Sequence, residues 1–386
     1  MAHTVTISIE EVIQHFSELE DPRSTINRQH LLTDVVVISI MAIMAGAAGP
    51  TAIAKWAKCK QEFLKTLLPL PNGIPSKDVF RRVLMALKPE VFQACFTRWL
   101  TALRESAAKT LGIERPTYAV DGKTLRRSHD RKQDLGALHS VSVWASEFGL
   151  TLAQVATDEK SNEITAIPLV LSLLDLKGAV ITIDAMGTQT AIAQQVVAAQ
   201  GDYILALKGN QESLHEATME YIEEQYENNF DGIKVEQLET HEQGHGRTET
   251  RTYIQLPVPE DLPGAARWAG LLTLGVVILH CIRNGVETSE VRYYISSLSM
   301  NIKQFAQSVR GHWGIENSCH WCLDVTYRED ESRIRDKHLR ENFAWLNRFT
   351  LSLLKQQRTK DSIAMKRRIC GWNENYILEV LTGETT

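Results

Sequence analysis

The chain has 386 residues, 44% hydrophobic and 23% charged, with a formal net charge of −5. This is ordinary globular composition, long enough for two or three domains with a sizeable core. The acidic total excludes a uniformly basic nucleic-acid coat, yet the charge is uneven: residues 1–135 hold 19 basic against 14 acidic groups, residues 301–386 hold 14 against 11, and residues 201–263 hold 4 against 14. Local basic surface governs contact with a polyanion more than the total does, although uneven charge is also common in proteins with no such partner.

The start, "MAHTVTISIEEVIQHF", lacks a basic region followed by an apolar one, so no secretory signal is expected. The most apolar stretch, "LLTDVVVISIMAIMAGAAG", carries Asp34 near its front and ends in small residues, which reads as a buried helix rather than a membrane span. Six scattered cysteines form no disulfide framework and suggest a reducing cytoplasm. Residues 9–112 read as helical. "TAIAKWAKCKQEFLKTLL" has apolar residues at three-and-four spacing, "PLPNGIP" breaks it, and "SKDVFRRVLMALK" restarts with Ser76 as N-cap. "PEVFQACFTRWLTALRESAAKTL" follows as a further helix. A helix, a break and a short helix bearing Lys77, Arg81 and Arg82 resembles a helix-turn-helix DNA reader, with a solvated helix face as the plainer alternative.

The texture changes at Pro116. "TYAVDG" reads as a strand, "LHSVSVWASEFGLTLAQVATDE" as two strands around "SEFG", and "SNEITAIPLVLSLLDLKG" as a capped helix. "AVITIDAMG" is a strand buried on both faces, "TQTAIAQQVVAAQG" a helix ended by glycine, and "DYILALKGN" another buried strand. That order predicts an α/β layer with a mixed sheet. From residue 211 a polar acidic helix precedes two hairpins, the first turning at "QGHGR", and helices return after residue 300.

Asp121 and Asp184 each stand at the end of a predicted strand, followed by Gly122 or Ala185. Carboxyl ends of strands are where α/β sheets build sites, and two adjacent carboxylates invite a hard divalent cation. An Asp after a strand is, on its own, more often a turn or helix cap. The stretch "VRGHWGIENSCHWCLDV" puts His312, Glu316 and His320 four apart on one helical stripe, with Trp313, Asn317 and Trp321 on the next. Ile315, Cys319 and Cys322 point elsewhere, towards a core. Three readings compete: zinc at the cysteines or histidines, which lacks a second ligand pair; an aromatic packing helix; or Glu316 as a third metal ligand beside the two aspartates.

The runs "AVDGKTLRRS", "TDEKSNEITAIP", "ITIDAMGTQ", "GDYILALKGNQ", "HGR", "VRYYISS" and "HWGIENSCHWCLDV" resemble those of DDE transposases of bacterial insertion sequences, specifically the H-repeat-associated proteins linked to Rhs elements, nearly end to end. The resemblance implies a ribonuclease-H-like catalytic core with a β-strand insertion, preceded by a helical N-terminal domain and followed by C-terminal helices. Its segments fall at 1–114 (helical, DNA-binding), 115–210 (first part of the core), 211–300 (insertion) and 301–386 (the glutamate helix and C-terminal helices). It implies Asp121, Asp184 and Glu316 as catalytic and metal-holding residues, two Mg²⁺ ions with Mn²⁺ as substitute, double-stranded DNA as partner, a homodimer on DNA, and no membrane. Lys123, Arg126 and Arg127 after the first Asp, Lys208 and Asn210 after the last core strand, Arg247 at a hairpin tip, and Trp313 are then candidate DNA contacts, each also readable as ordinary surface or core. The wider pattern Tyr-x-x-Arg-x-x-x-Glu-x6-Lys is broken here by Val309, His312 and Leu323, so those roles do not carry over; His312 and His320 are candidate phosphate contacts in their place. A nuclease without strand transfer, an inactive DNA-binding remnant and a zinc-stabilised structural protein remain the alternatives.

Overall fold

Helices occupy the N-terminal third, as the apolar spacing there dictates: α1 (Ile9–Ser17), α2 (Leu32–Met44), α3 (Pro50–Cys59), α4 (Gln61–Leu67), α5 (Lys77–Ala86) and α6 (Pro89–Leu111). The computed structural model describes residues 8–26, 28–130, 135–157, 163–244 and 246–383. The predicted helix over 51–68 divides at Lys60 into α3 and α4, while Ser76 caps α5 as expected, its hydroxyl accepting from Val79 N. There follow β1 (Thr117–Leu125), β2 (Leu138–Ala145), β3 (Leu150–Thr157), α7 (Glu163–Leu171), β4 (Val180–Ile183), α8 (Thr190–Ala198), β5 (Asp202–Leu207) and α9 (Glu212–Glu227). The two hairpins are β6 (Glu236–Gly244) with β7 (Arg247–Pro257), and β8 (Thr273–Arg283) with β9 (Val286–Ser296). The chain ends in α10 (Ile302–Gly314), a π-helical turn Ile315–His320, α11 (Trp321–Val325), α12 (Lys337–Gln356), α13 (Ile363–Trp372) and α14 (Glu374–Thr382). The capping residues expected before α7, Ser161 and Asn162, lie outside the described residues, as does His245 of the first hairpin tip.

These elements form two compact units: Met1–Glu114 with Gly122–Asn162 and Glu316–Thr386, and Arg115–Asp121 with Glu163–Ile315. The first is mainly helical. In α2 all but one of thirteen residues are buried, as an all-round apolar helix requires, and among the described residues no helix is long and apolar enough to cross a membrane. Around α12, Phe96 meets Phe16, Phe92, Trp345 and Phe349 in edge and tilted contacts. One charge crosses this core: fully buried Arg348 on α12 pairs with buried Glu329 (Nη1 to Oε1, 3.3 Å) and donates to Ser140 and Ser142 of β2 (3.2 and 3.1 Å). A guanidinium so enclosed is tolerable only because a carboxylate and two hydroxyls receive it.

The second unit is built on a mixed sheet in the order β1-β4-β5-β9-β8-β7-β6. β1, β4 and β5 run parallel, and β9, β8, β7 and β6 continue the same sheet as an antiparallel meander. The mixed α/β layer expected from the strand and helix order is thereby found. At the end of α8 the left-handed residue is Gln200 (φ 60°), not the expected glycine. Gly201 is required for another reason: a Cβ there would stand 2.9 Å from the Leu176 carbonyl oxygen. Helix α10 packs on the sheet through Phe305, fully buried among Val180, Ile204, Tyr253, Val277 and Tyr294. Gly275 on β8 makes room for it, since a Cβ would come within 2.3 Å of the Phe305 ring. Gly275→Val is expected to destabilise the protein by about 1–3 kcal/mol through overpacking, read as a lower urea midpoint. Gly244→Ala, whose added methyl meets nothing within 4 Å, is expected to leave the midpoint in place.

Candidate active site

Parallel pairing of β1 and β4 runs Thr117↔Val180, Ala119↔Thr182 and Val120↔Ile183. The next residue on each strand is an aspartate, so Asp121 and Asp184 leave the ladder side by side at one level, on strands roughly 4.8 Å apart. Both are half-buried. The expectation that Asp121 ends its strand is corrected: β1 continues to Leu125, and only its pairing with β4 stops before Asp121. Asp184 does end its strand. Its Oδ1 accepts from Gly187 N (3.2 Å), and its carbonyl accepts from Thr188 Oγ1, which also donates to Ala206 O (2.6 Å). Gly187 permits this tight turn, because a Cβ would lie 2.3 Å from Ile183 Cγ2. Asn210 Nδ2 donates to Ala185 O and braces the same loop.

Helix α10 advances along the two strands towards this edge. Ser308 Oγ lies 3.0 Å from Thr117 Oγ1, and one turn later His312 Nδ1 lies 3.0 Å from Thr182 Oγ1. Four helical residues rise about 6 Å and two strand residues about 6.6 Å, so the helix and strands keep step. Burial lowers the pKa of His312 to about 4 against the opposing pull of Asp184, so the ring is neutral at pH 7. Trp313 lies beneath Arg292, whose guanidinium carbon stands 4.3 Å from the ring centroid.

In the helical unit the chain resumes at Glu316, which is exposed on the π-helical turn. A π turn holds one extra residue, so the stripe of His312, Glu316 and His320 expected from regular α-helical spacing is broken there. Ile315 and Cys319 are fully buried and Cys322 nearly so, as anticipated. Burial pushes the Cys319 thiol up to about 11 and raises Cys322, so neither is a reactive thiolate. Among the described residues no three His, Cys, Asp or Glu side chains are gathered to hold a metal ion. The chemistry of the paired aspartates still fits a hard cation: the turn contact with Gly187 engages one carboxylate oxygen of Asp184, and such ions complete their shells with water.

Comparison with known proteins bears directly on this arrangement. Residues 112–354 match the family described as Transposase DDE domain, and residues 13–100 match the DDE_Tnp_1-associated family. The chain belongs to the DDE transposase family, in its H-repeat-associated branch. Over 98% of its length it is 35% identical to the Escherichia coli K12 protein named "H repeat-associated putative transposase YhhI", covering 99% of that chain. It is 38% identical to "Putative transposase YncI" of Escherichia coli O157:H7, over 97% of this chain and 95% of the other. A shorter match, 30% identical over 20% of this chain and 92% of the relative, bears the name "Inactive transposase YbfQ", also from Escherichia coli K12.

The transposase distributes its expected DNA contacts unevenly. Lys77, Arg81 and Arg82 are exposed on α5, opposite buried Phe80, Val83 and Leu84. Arg126 and Arg127 are exposed, Arg126 leaning on Asp330 (3.3 Å). Lys208 is exposed, and Arg247 pairs with Glu249 (3.0 Å). Lys123 is different. It is 6% exposed and its ammonium is held by Asp324 (2.5 Å) and Asp330 (3.6 Å), so its charge serves an internal ion network. The expected DNA contact is thus engaged within the protein, by aspartates about two hundred residues away. Asn210 likewise donates to Ala185 O, and neutral His312 brings no positive charge to a phosphate at pH 7. His320 is half-buried, and Trp321 is 57% exposed. Above pH 6.5 His312 is neutral folded or unfolded; between 6.5 and about 4 only the unfolded chain takes up its proton. Stability is therefore expected to decrease as the pH is lowered through that window, and His312→Gln to remove that part of the slope in urea unfolding at pH 7.5, 6 and 5.

Proposed function

We propose that this transposase cuts and joins phosphodiester bonds at the ends of an insertion sequence, with Asp121, Asp184 and Glu316 as its catalytic carboxylates. The observation that carries the reading is the adjacent placement of Asp121 and Asp184, together with the step of α10. Ser308 answers Thr117 and His312 answers Thr182. The resemblance to the family adds Glu316, exposed on the π-helical turn that follows α10, as the candidate third ligand. The order β1, β2, β3, α7, β4, α8, β5 supports a ribonuclease-H-like core over 115–210, with 211–300 as the inserted strands. The helical segment 1–114 would bind DNA through Lys77, Arg81 and Arg82, in a cytoplasmic enzyme acting as a dimer on double-stranded DNA.

Asp121, Asp184 and Glu316 would hold the divalent ions. A pair of Mg²⁺ ions, or Mn²⁺ in their place, supplies an activated nucleophile and neutralises charge on the phosphate and its leaving 3′ oxygen. The protein's own residues do the rest. Gly187 and Thr188 fix the Asp184 backbone and one carboxylate oxygen, Asn210 steadies the loop behind it, and Thr182 sets the His312 ring against β4. Exposed Arg126, Arg127, Lys208 and Arg247 would draw the DNA backbone to the carboxylate edge. Trp321 offers an exposed ring to an unpaired base.

Asp121→Asn, Asp184→Asn and Glu316→Gln are each expected to lower cleavage and joining of the element's ends by about 10³-fold or more, with DNA binding retained. Unchanged cleavage by any of them in Mg²⁺ removes that residue from the site. Native protein that binds ends but never nicks is a remnant, and one that nicks without joined products is a nuclease. Affinity for the ends is expected to fall steeply between 50 and 200 mM salt, with a shallower slope in Arg126→Ala/Arg127→Ala; a flat salt response refutes those contacts.

A further inference from the structure

Within the helical unit, a cavity of about 430 Å³ lies between residues 46–48, the segment 326–333 and α12. Arg367 of α13 forms part of its wall and is 8% exposed. Its Nη1 donates to Thr326 O (2.7 Å), its Nη2 to Ile43 O (3.0 Å), and the guanidinium lies 3.8 Å from the Tyr327 ring centroid. Those acceptors are neutral, and Nε is buried with no partner. Among the described residues no carboxylate forms an ion pair with Arg367. A buried cation without a counter-charge is costly, and burial pulls its pKa below the usual arginine value.

The other charges in the wall do not compensate it. Glu329 is committed to Arg348 and Glu331 to Arg328 (2.6 Å). Arg333 is exposed at the rim and forms no ion pair among the described residues. Arg340, 2% exposed, donates to the carbonyls of Ser128 and Gly136. Arg367 and Arg333 thus leave positive charge in the wall, and the volume is within the range of small-molecule sites. Gly46, Ala47 and Ala48 keep one wall free of long side chains.

We propose that this cavity is an anion site for a phosphate group carried on a body of nucleotide size, with Arg367 as the buried contact and Arg333 at the rim. Each Nη keeps a second N–H beyond its carbonyl contact, which suits a phosphate oxygen, and the ligand would supply the negative charge that Arg367 lacks. The phosphate could belong to a free mononucleotide or to one unit of a DNA strand. The site involves none of Asp121, Asp184 or Glu316, so it stands or falls apart from the catalytic reading.

The test uses the full chain carrying Glu316→Gln, without divalent metal, so that catalysis plays no part. Thermal midpoint and calorimetric binding are measured with dAMP, with deoxyadenosine, and with a five-nucleotide single strand, against chloride at equal ionic strength. dAMP, the oligonucleotide or both are expected to bind and raise the midpoint, and deoxyadenosine is not. Arg333→Ala, a surface change, is expected to weaken that binding about fivefold with the unliganded midpoint unchanged, and Arg367→Gln to weaken it further where it folds. Loss on the oligonucleotide alone assigns the site to the DNA strand; loss on dAMP as well assigns it to a mononucleotide. Absence of binding by both ligands, binding of deoxyadenosine equal to that of dAMP, or native affinity in Arg333→Ala overturns the proposal.

Discussion

The parallel register of β1 and β4 is the constraint on which the candidate site rests. With Val120 opposite Ile183, two aspartates more than sixty positions apart in sequence emerge at one level. A shift of one residue would carry one side chain to the other face of the sheet, because side chains alternate along a strand. The register is protected by burial: Val120, Ile181 and Ile183 are at most 3% exposed. The turn after β4 adds its own specification, since Gly187 admits no side chain and Thr188 ties the Asp184 carbonyl to the next strand.

Polar contacts in this transposase set position as much as they meet solvent. In the sheet unit, Thr117 and Thr182 each take a partner from α10, and Phe305 fills the space that Gly275 leaves. A helix held at two successive turns cannot slide or rotate without losing both hydrogen bonds and one aromatic contact. In the helical unit, Arg348 with Glu329 and Lys123 with Asp324 and Asp330 do comparable work with charge. Such pairs add little net stability over apolar residues, but they admit few alternative arrangements.

Membership of the DDE transposase family and the paired aspartates point to the same chemistry from independent directions. One comes from similarity along nearly the whole chain, the other from strand register. The π-helical turn bearing Glu316 is consistent with both, since such turns recur at functional sites and cost backbone regularity elsewhere. Arg367 belongs to neither line, and its uncompensated charge asks for its own explanation.

Much was legible in the sequence, because local patterns have local causes. Apolar spacing gave the N-terminal helices, alternating and continuous apolar runs gave the strands in order, and turn residues gave both hairpins. The family could be read from motifs alone. Tertiary structure decided what depends on partners distant in sequence. It extended β1 past Asp121, joined the hairpin strands to the main sheet, and turned Lys123 from a surface candidate into a buried ion-pair member. It also made His312 a neutral ring on Thr182. A residue's type is fixed by the chain, but its exposure, charge state and neighbours are set by what folds against it, and no spacing rule encodes a contact two hundred residues away.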